Sequence, residues 1–309
     1  MPLSRRPRRV LWRLLAALAP FALVGAVVTA YFFSEPPMPN NTRRLSMAGG
    51  LRLLLPQTVN HSDSDGPLYE GHYAPPDAPA PDELLVVSYN LHFGDALDEA
   101  RRAFETRDPL PAPDFLLLQE VDATETEELA AALGYDYVYF PASVAPDGRD
   151  FGNAVLSRWP LSDARKLILP GVHPLSGQQR TATRATARVG EREVLLYSTH
   201  IEIATAPVAL RAGQMAAVAE DVPANADAVV IGGDFNVVTG RGARALAELY
   251  AAHALDHASQ AAGPTLTRLG VRVPADHLFT RGFEVVGTGA AGDMTASDHL
   301  PVWARLRWR

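Results

Sequence analysis

From residue 82 to Arg309, short apolar runs alternate with turn-forming residues and with segments of helical periodicity. Apolar runs bounded by turn signals predict strands, and longer amphipathic segments predict helices. Strands are predicted at LLVVSYN (84–90), FLLLQE (115–120), YVYF (137–140), GNAVLSR (152–158), ATARV (185–189), EVLLYSTH (193–200), AVVIGGDFN (228–236), HLFT (277–280) and LPVWARLRW (300–308). Helices are predicted at Glu125–Leu133, Pro207–Glu220 and Arg241–Ala252. With no internal repeat, this alternation predicts one α/β domain over residues 82–309.

Polar side chains occupy the places where several of these apolar runs stop. They are Asn90, Glu120, His200, Asp234 and Asn236 at strand ends, with Asp298 and His299 just before the final strand. In layered α/β domains, strand ends are where loops converge and ligands bind. We therefore expect these side chains to form one site.

The run VVIGGDFN ends in a carboxylate and an amide two residues apart. The period of two in an extended chain puts Asp234 and Asn236 on the same side. Gly232 and Gly233 would allow close backbone approach there, or mark a plain bulge or turn.

The first 33 residues differ from the rest of the chain. The run Leu14–Phe33 has 20 residues without a charge, a membrane-spanning length, and it follows Arg5, Arg6, Arg8, Arg9 and Arg13. The basic flank 1–13 should stay in the cytoplasm, and the Pro-rich residues 34–81 should form a spacer to an outer domain. A cleavable signal peptide ending near residues 28–30 is the alternative. We expect the domain at a bacterial inner membrane, facing the periplasm or exterior, or secreted if the segment is cleaved.

Composition excludes several kinds of chemistry. The chain has no cysteine, so disulfides, thiolate nucleophiles and cysteine zinc sites are ruled out. Without the five N-terminal arginines, 23 basic residues face 35 acidic ones, a balance of −12. Such a domain lacks the basic surface of a protein that binds polyanions non-specifically. Since neither a GxSxG elbow nor a Walker glycine loop occurs, serine hydrolase and NTPase activities have no support.

The polar residues at the strand ends suggest a reaction. Carboxylate and amide oxygens without cysteine favour Mg²⁺ or Mn²⁺ over zinc, and histidines suit charge neutralisation and proton transfer. Together they suit attack of water on a phosphate ester. Taken singly, each has a plainer explanation: Asn90 as a turn amide, Glu120 as a solvated carboxylate and His200 as a buried structural histidine.

Seven motifs in order resemble those of the endonuclease/exonuclease/phosphatase superfamily. They are SYNLHFG with Asn90, LLLQEVD with Glu120, FGNAVLSRWPL, STHIE with His200 followed by RAGQ, GGDFN, ADHLF with Asp276, and SDHLPV with Asp298 and His299. The resemblance covers about residues 84–308. It implies a four-layered α/β sandwich, two packed mixed sheets flanked by helices, and metal-dependent hydrolysis of a phosphoester.

The resemblance also implies which residues hold the metal and the substrate. Glu120, with Asn90 nearby, would hold Mg²⁺ or Mn²⁺, and Asp298 would lie beside it as a ligand or through water. Asn153 and Arg180 match positions near the rim of the site and would touch substrate; their alternatives are strand packing and surface charge.

The catalytic residues follow from the same resemblance. Asp234 would orient or deprotonate the attacking water, and Asn236 would contact the phosphate. His299, held by Asp276, would sit against the scissile phosphate, and His200 would supply a second phosphate contact.

Two further histidine positions need comment. His92 stands where several nuclease members carry an acidic residue, so the chain departs from the nuclease metal arrangement at this position. His253 and His257 have the i,i+4 spacing of a helical metal site, but without HExxH a solvated helix face is the better interpretation.

The motifs leave the substrate open, since loops around such sites select it. Relatives cleave DNA, RNA, sphingomyelin or inositol phosphates. The acidic domain favours a phospholipid head group, a small phosphodiester or scavenged nucleic acid, with membrane contact through residues 14–33 and no obligate protein partner. The alternative is a catalytically silent, membrane-anchored binding or scaffolding module, against which the intact set of polar residues argues.

Overall fold

The structure, a computed structural model, describes residues 41–46, 52–145, 147–268, 270–292, 294–295 and 297–309. The predicted membrane or signal segment, 14–33, lies outside the described residues. Within these ranges, no helix is both long and apolar enough to cross a membrane.

The secondary structure alternates strands and helices along the chain. The strands are β1 Asn41–Ser46, β2 Arg52–Gln57, β3 Tyr69–Gly71, β4 Glu83–Asn90, β5 Phe115–Val121, β6 Asp136–Val144, β7 Asp150–Ser157, β8 Leu161–Ile168, β9 Thr181–Val189, β10 Arg192–His200, β11 Val229–Asp234, β12 Asp256–His257, β13 Leu266–Arg268, β14 Val271–Val273, β15 Asp276–Arg281, β16 Phe283–Ala290 and β17 Val302–Trp308. The helices are α1 Leu97–Thr106, α2 Ala123–Leu133, α3 Val208–Glu220 and α4 Gly240–Ala251.

Two mixed sheets form the body of the domain. The larger has the order β16-β17-β4-β5-β7-β6-β3, and the smaller has the order β12-β15-β11-β10-β9-β8. In each sheet one central pair is parallel, β4 with β5 and β10 with β11. Since parallel neighbours run the same way, both strands of each pair end at the same edge of their sheet.

Three apolar clusters place the helices outside the sheets. Between the sheets, Leu117 of the larger sheet belongs to one buried cluster with Leu196 and Val230 of the smaller. A second cluster joins α1 and α2 to the other face of the larger sheet, and a third joins α3 and α4 to the other face of the smaller. The predicted four-layered α/β sandwich is therefore confirmed for the described residues.

The elements missing from the sequence-based prediction are those without a long apolar run. Strands β8 and β16 each lie at one edge of their sheet, and most of their side chains are exposed or half-buried. Half of the residues of helix α1 are charged, and the helix buries only Ala100, Ala103 and Phe104. A half-buried edge element carries too few apolar residues to be recognised by periodicity alone.

Part of the predicted spacer packs on the domain. Strand β3 pairs with β6, with Tyr69 opposite Tyr139. The backbone N–H of Thr58 donates to Ser176 O at 2.8 Å. These contacts use backbone groups, which leave no periodic pattern in the sequence. The packed unit therefore begins before residue 82, the predicted boundary.

Candidate active site

The polar strand ends meet at one edge of the two sheets. Asn90 ends β4, and Glu120 lies at the end of its parallel neighbour β5. His200 and Asp234 end β10 and β11 and stand opposite each other in register. Asp276 begins the antiparallel strand β15 and pairs with Asp234. The topology thus gathers side chains that are far apart in the sequence.

The predicted site residues are almost all removed from solvent. Buried members are Asn90, Glu120, Asn153, Arg180, His200, Asp234, Asn236, Asp276 and His299, and Asp298 is partly exposed. Buried polar groups of this density need mutual hydrogen bonds or a bound ion.

Asn90 and Glu120 are directly bonded. Asn90 Nδ2 donates to Glu120 Oε1 at 2.8 Å and also approaches Asp234 Oδ2 at 3.4 Å. Asn90 Oδ1 accepts the backbone N–H of His92 at 3.0 Å. The strand pairing shifts register after Gln119, and Glu120 takes a left-handed φ of 56°. This bulge turns the Glu120 carboxylate toward Asn90.

The GGDFN segment continues the network. The backbone N–H of Asn236 donates to Asp234 Oδ1 at 2.8 Å, and Asn236 has a φ of 51°. Arg211 Nη2 holds this turn by donating to Asn236 O at 2.6 Å. At Gly233 a Cβ would lie 1.9 Å from the carbonyl oxygen of Thr199. The absence of a side chain at this position therefore allows β11 to lie close to β10.

His299 lies between two carboxylates. His299 Nδ1 is 2.9 Å from Asp276 Oδ2, and Nε2 is 3.6 Å from Asp234 Oδ2. Its Nε2 is also 4.0 Å from Asp298 Oδ1. The backbone N–H of His299 donates to Ser297 Oγ, which in turn donates to Asn90 O at 2.8 Å. The predicted Asp276–His299 pair is therefore present.

Electrostatics make His299 a cation. Burial alone would lower the pKa of His299, but the negative charges of Asp276 and Asp234 outweigh it and raise that pKa to about 10. Burial raises the pKa of Asp234, against the opposing effect of the His299 charge. At neutral pH the site thus holds an imidazolium beside a carboxylate whose proton affinity is increased.

His200 faces Asp234 from the other side. Its Nε2 is 3.5 Å from Asp234 Oδ2, and Arg180 Nη1 is 3.2 Å from its Nδ1. Asn153 Nδ2 donates to Thr181 O at 2.8 Å. The structure brings Arg180 to His200 and fixes Asn153 through β9, so their predicted contact with substrate stays a prediction.

The donor set fits a divalent cation. Glu120, Asp234 and Asp276 are buried in one network. The three carboxylates carry more negative charge than the single His299 imidazolium, which pairs with Asp234 and Asp276, can neutralise. One atom each of Asp234, Asp276 and His299 lies within 4.8 Å of the others. A protonated imidazole cannot bind a metal, which favours the Glu120 and Asn90 side as the place for Mg²⁺ or Mn²⁺.

Two features of the site were not found from the sequence. Glu202 is buried against Arg180, with 3.2 Å between Oε1 and Nη2, and Ser297 bridges Asn90 and His299. Both lie within two residues of a predicted site residue, in STHIE and in SDH, which is the one signal the sequence offered.

The histidine pair at 253 and 257 is not a helical pair. Helix α4 ends at Ala251, and His257 lies on the short strand β12. His257 Nε2 is 3.0 Å from His277 Nδ1, and the pair packs against Phe279. The expected solvated helix face is therefore wrong, because the helix stops before either histidine.

Fold and site together define a layered α/β protein whose strand ends join carboxylates, amides and two histidines in one buried cluster. The chain belongs to the Endonuclease/Exonuclease/phosphatase family, whose model matches residues 87–299. Membership of this family points to hydrolysis of phosphoester bonds.

Solved structures of similar fold come from diverse organisms. An endonuclease/exonuclease/phosphatase from Beutenbergia cavernae is 22% identical, with 74% of this chain and 72% of that chain covered and a TM-score of 0.60. One from Bacteroides vulgatus is 15% identical, covering 74% and 100%, with a TM-score of 0.58. TDP2 of D. rerio, in complex with a single-strand DNA product, is 17% identical, covering 74% and 100%, with a TM-score of 0.57. At these identities the likeness shows the fold alone. No curated protein matches the sequence.

Proposed function

We propose that the protein is a divalent-metal-dependent phosphodiesterase in which water attacks phosphorus directly. The observation that carries this proposal is the buried chain Asp276–His299–Asp234, joined through Asn90 to Glu120. A protein that only binds a ligand has no need of a buried base beside an imidazolium and a metal-holding carboxylate.

Each residue has a role that its surroundings support. Asp234, whose pKa burial raises, orients the water and accepts its proton. Asn236 and His200 donate hydrogen bonds to the phosphate oxygens, and the His299 cation stabilises their negative charge. Asp276 holds the His299 ring.

The metal ligands are proposed from the same network. Glu120 and Asn90 hold Mg²⁺ or Mn²⁺, with Asp298 beside them. When bound, the metal neutralises charge on the phosphate. These side chains would hold the metal close to Asp234, which Asn90 contacts.

The test is hydrolysis of bis(p-nitrophenyl) phosphate and of p-nitrophenyl phosphate by the full chain. We expect turnover with Mg²⁺ or Mn²⁺, its loss in chelator, and its loss in Glu120→Ala and His299→Ala, while the exposed control Glu193→Gln remains active. Faster cleavage of the diester supports a phosphodiesterase. Turnover that survives both substitutions would contradict the proposed mechanism. A phosphodiester with a phospholipid head group and single-strand DNA are assayed in the same way to compare substrate classes.

We also propose that residues 14–33 anchor the protein in the bacterial inner membrane with the catalytic domain outside. The charge pattern supports this orientation, with five arginines before an uncharged run. Protease added to intact spheroplasts should digest the domain. If the domain is protected while an exported control protein is cut, the orientation is wrong.

A further inference from the structure

Three segments beside the site carry exposed aliphatic side chains. Val59 lies between β2 and β3, Val172 and Leu175 lie in the loop between β8 and β9, and Val208 begins α3. The exposed fraction of these side chains rises from 41% at Val59 to 61% at Leu175 and 77% at Val208. Single exposed apolar residues are common on soluble proteins, but apolar surface gathered in one place marks a site of interaction. We call these four residues the apolar rim.

Hydrogen bonds join the chain at Val59 to the loop at Leu175. The backbone N–H of Thr58 donates to Ser176 O at 2.8 Å. The side chain of Asn60 also donates to a carbonyl of this loop at 2.8 Å. The residues on both sides of Val59 are thus bonded to the segment that follows Leu175, so these two rim residues lie in one region of the surface.

The same loop contacts the start of α3. A Cβ at Gly171, the residue before Val172, would lie 2.5 Å from Leu210 Cδ1 in the first turn of the helix. Val208 begins that turn. The loop therefore lies between the other two segments, and the four rim residues form one surface.

The apolar rim borders the site. The N–H of Leu169 donates to Arg180 O at 2.9 Å and closes the loop that carries Val172 and Leu175, and Arg180 contacts His200. Arg211, one turn after the start of α3, bonds the carbonyl of Asn236. Two of the three rim segments are thus connected directly to residues of the site.

The rim segments carry no charge, although the domain is acidic. Residues 53–62, 167–179 and 203–210 contain no Asp, Glu, Lys or Arg. A charged side chain opposes transfer of a surface from water to lipid, whereas an uncharged aliphatic surface favours it. The acidic remainder of the domain is repelled by anionic lipid. The occupant that fits the apolar rim best is therefore the surface of a zwitterionic bilayer.

The path of the chain also brings the apolar rim to the membrane. Strand β1 pairs with β2 so that Asn41 stands opposite Gln57, the residue before Thr58. Only seven residues, 34–40, separate Asn41 from Phe33, the end of the uncharged run. A chain of this length spans at most about 25–30 Å. If residues 14–33 cross the membrane as proposed, the chain at Thr58 is held close to the bilayer surface.

We infer that the apolar rim docks on a zwitterionic phospholipid bilayer, with Leu175 and Val208 inserted below the head groups. Docking brings phospholipid head groups to the edge of the sheets where the site lies, which makes a phospholipid the substrate. In the reaction the oxygen of water bonds to phosphorus, one phosphorus–oxygen ester bond breaks, and the alcohol leaves with a proton. The choice of substrate rests on the proposed phosphodiesterase function, whereas the docking does not.

Docking is measured first, with a readout that needs no activity. Since the chain has no cysteine, a single introduced cysteine can be labelled specifically. Leu175→Cys, Val208→Cys and Glu191→Cys are labelled with nitrobenzoxadiazole in the full chain, which is incorporated into phosphatidylcholine vesicles with or without doxyl-labelled lipid. Full chain that does not incorporate is added to the preformed vesicles. Glu191 is the control, because it is exposed in the turn before β10, at the opposite end of that strand from His200.

We expect the labels at Leu175 and Val208 to emit at shorter wavelength in vesicles than the label at Glu191. Doxyl lipid should quench the two rim labels about twofold or more, because an inserted side chain lies at the boundary of head groups and acyl chains. The label at Glu191 should keep its emission in water and stay unquenched.

Kinetics then test the consequence for the substrate. The double variant Leu175→Ser, Val208→Ser should lower turnover of phosphatidylcholine in vesicles about 10-fold or more, because less apolar surface is buried on docking. Turnover of bis(p-nitrophenyl) phosphate should stay within about twofold, since neither side chain belongs to the site. Val286→Ser is the matched control, an exposed valine of the edge strand β16. It should leave both activities unchanged.

Rim labels that keep their emission in water would overturn the inference, as would a label at Glu191 that is quenched equally. A rim label that shifts but is not quenched by doxyl lipid would show that a second copy of the chain covers the apolar rim, which also overturns it. Quenched rim labels without turnover of any diester would confirm the docking and count against the proposed function. Cleavage of the soluble diester without cleavage of phosphatidylcholine would exclude this phospholipid as the substrate.

Discussion

Glu120 and Asn236 hold backbone conformations that residues with a Cβ seldom adopt, with φ of 56° and 51°. Such a conformation costs on the order of 1–3 kcal/mol and persists only where the surroundings enforce it. Here the Asn90 amide bonds the Glu120 carboxylate, and Arg211 bonds the Asn236 carbonyl. At the residue scale, two of the strained backbone positions therefore lie where strand ends turn their side chains into a common site.

Asp276→Asn tests the role of the carboxylate behind His299. The change keeps the size of the side chain but removes one of the three carboxylate charges, those of Asp276, Asp234 and Asp298, that raise the pKa of His299. We expect kcat to fall about 100-fold or more, with KM within about threefold, because a positioned cation is lost. Steady-state kinetics on the diester measure this. Asp256→Asn, an exposed acid of β12, is the control, and an unchanged kcat in Asp276→Asn would exclude the pair from catalysis.

At the element scale, the site depends on the close pairing of β10 with β11. These strands carry His200 and Asp234 at their ends and are in register along six residue pairs. Gly233 lies one residue before Asp234, opposite Thr199, where a Cβ would overlap a backbone carbonyl. The position of Asp234 thus depends on Gly233, because the backbone of β10 occupies the space that a side chain at this position would need.

Gly233→Ala should therefore be strongly destabilising. A Cβ at 1.9 Å from Thr199 O forces the strands apart, and we expect a loss of about 3 kcal/mol or more in the free energy of unfolding. Gly213→Ala is the matched control, since this glycine lies in α3 with no atom within 4 Å of its Cβ position. That change should add about 0.5–1 kcal/mol. Urea unfolding followed by circular dichroism compares the two, and equal stabilities would contradict the packing argument.

The pair of histidines on β12 and β15, His257 and His277, should make the stability of the protein depend on pH. Burial lowers the pKa of His257 to about 4, and burial together with the neighbouring His257 lowers the pKa of His277 to about 3. Between these values and about pH 6.5, the unfolded chain binds more protons than the folded one. The free energy of unfolding therefore falls as the pH falls, by about 3 kcal/mol for the two rings together from pH 6.5 to pH 5.

Urea unfolding at pH 7, 6 and 5 measures this dependence. His277→Gln removes one titrating ring but can still bond His257, so it should lose less stability over the same interval. An identical pH slope in the wild type and the variant would show that the pair does not cause it.

Net charge acts at the scale of the whole molecule. The chain beyond the N-terminal flank carries 23 basic and 35 acidic residues, so a polyanion is repelled as it approaches. We expect kcat/KM for a single-strand DNA substrate to rise about two- to fivefold from roughly 20 to 150 mM NaCl, because salt screens this repulsion. The rate with a zwitterionic phosphocholine diester should stay constant. A fall with salt for DNA would instead indicate a local basic track.

The sequence predicted most of the site because the reacting groups lie in short motifs. Asn90, Glu120, Asp234 and His299 were recognised from their places beside apolar runs and from motif order, and the structure joins them in one network. Glu202 was missed because a carboxylate two residues after a histidine has no distinctive pattern. Its partner in the structure is Arg180, 22 residues earlier in the chain.

Buried runs, turn signals and motif order determined the α/β class, the main strands and the identity of the polar groups, because these properties reside in neighbouring residues. Only the tertiary structure decided which edge elements complete the sheets and that His200 and His299 meet around Asp234. It also placed carboxylates on both sides of His299 and a guanidinium beside His200. The physical reason is that burial and charge pairing are set by groups that only the packed sheets bring within a few ångströms.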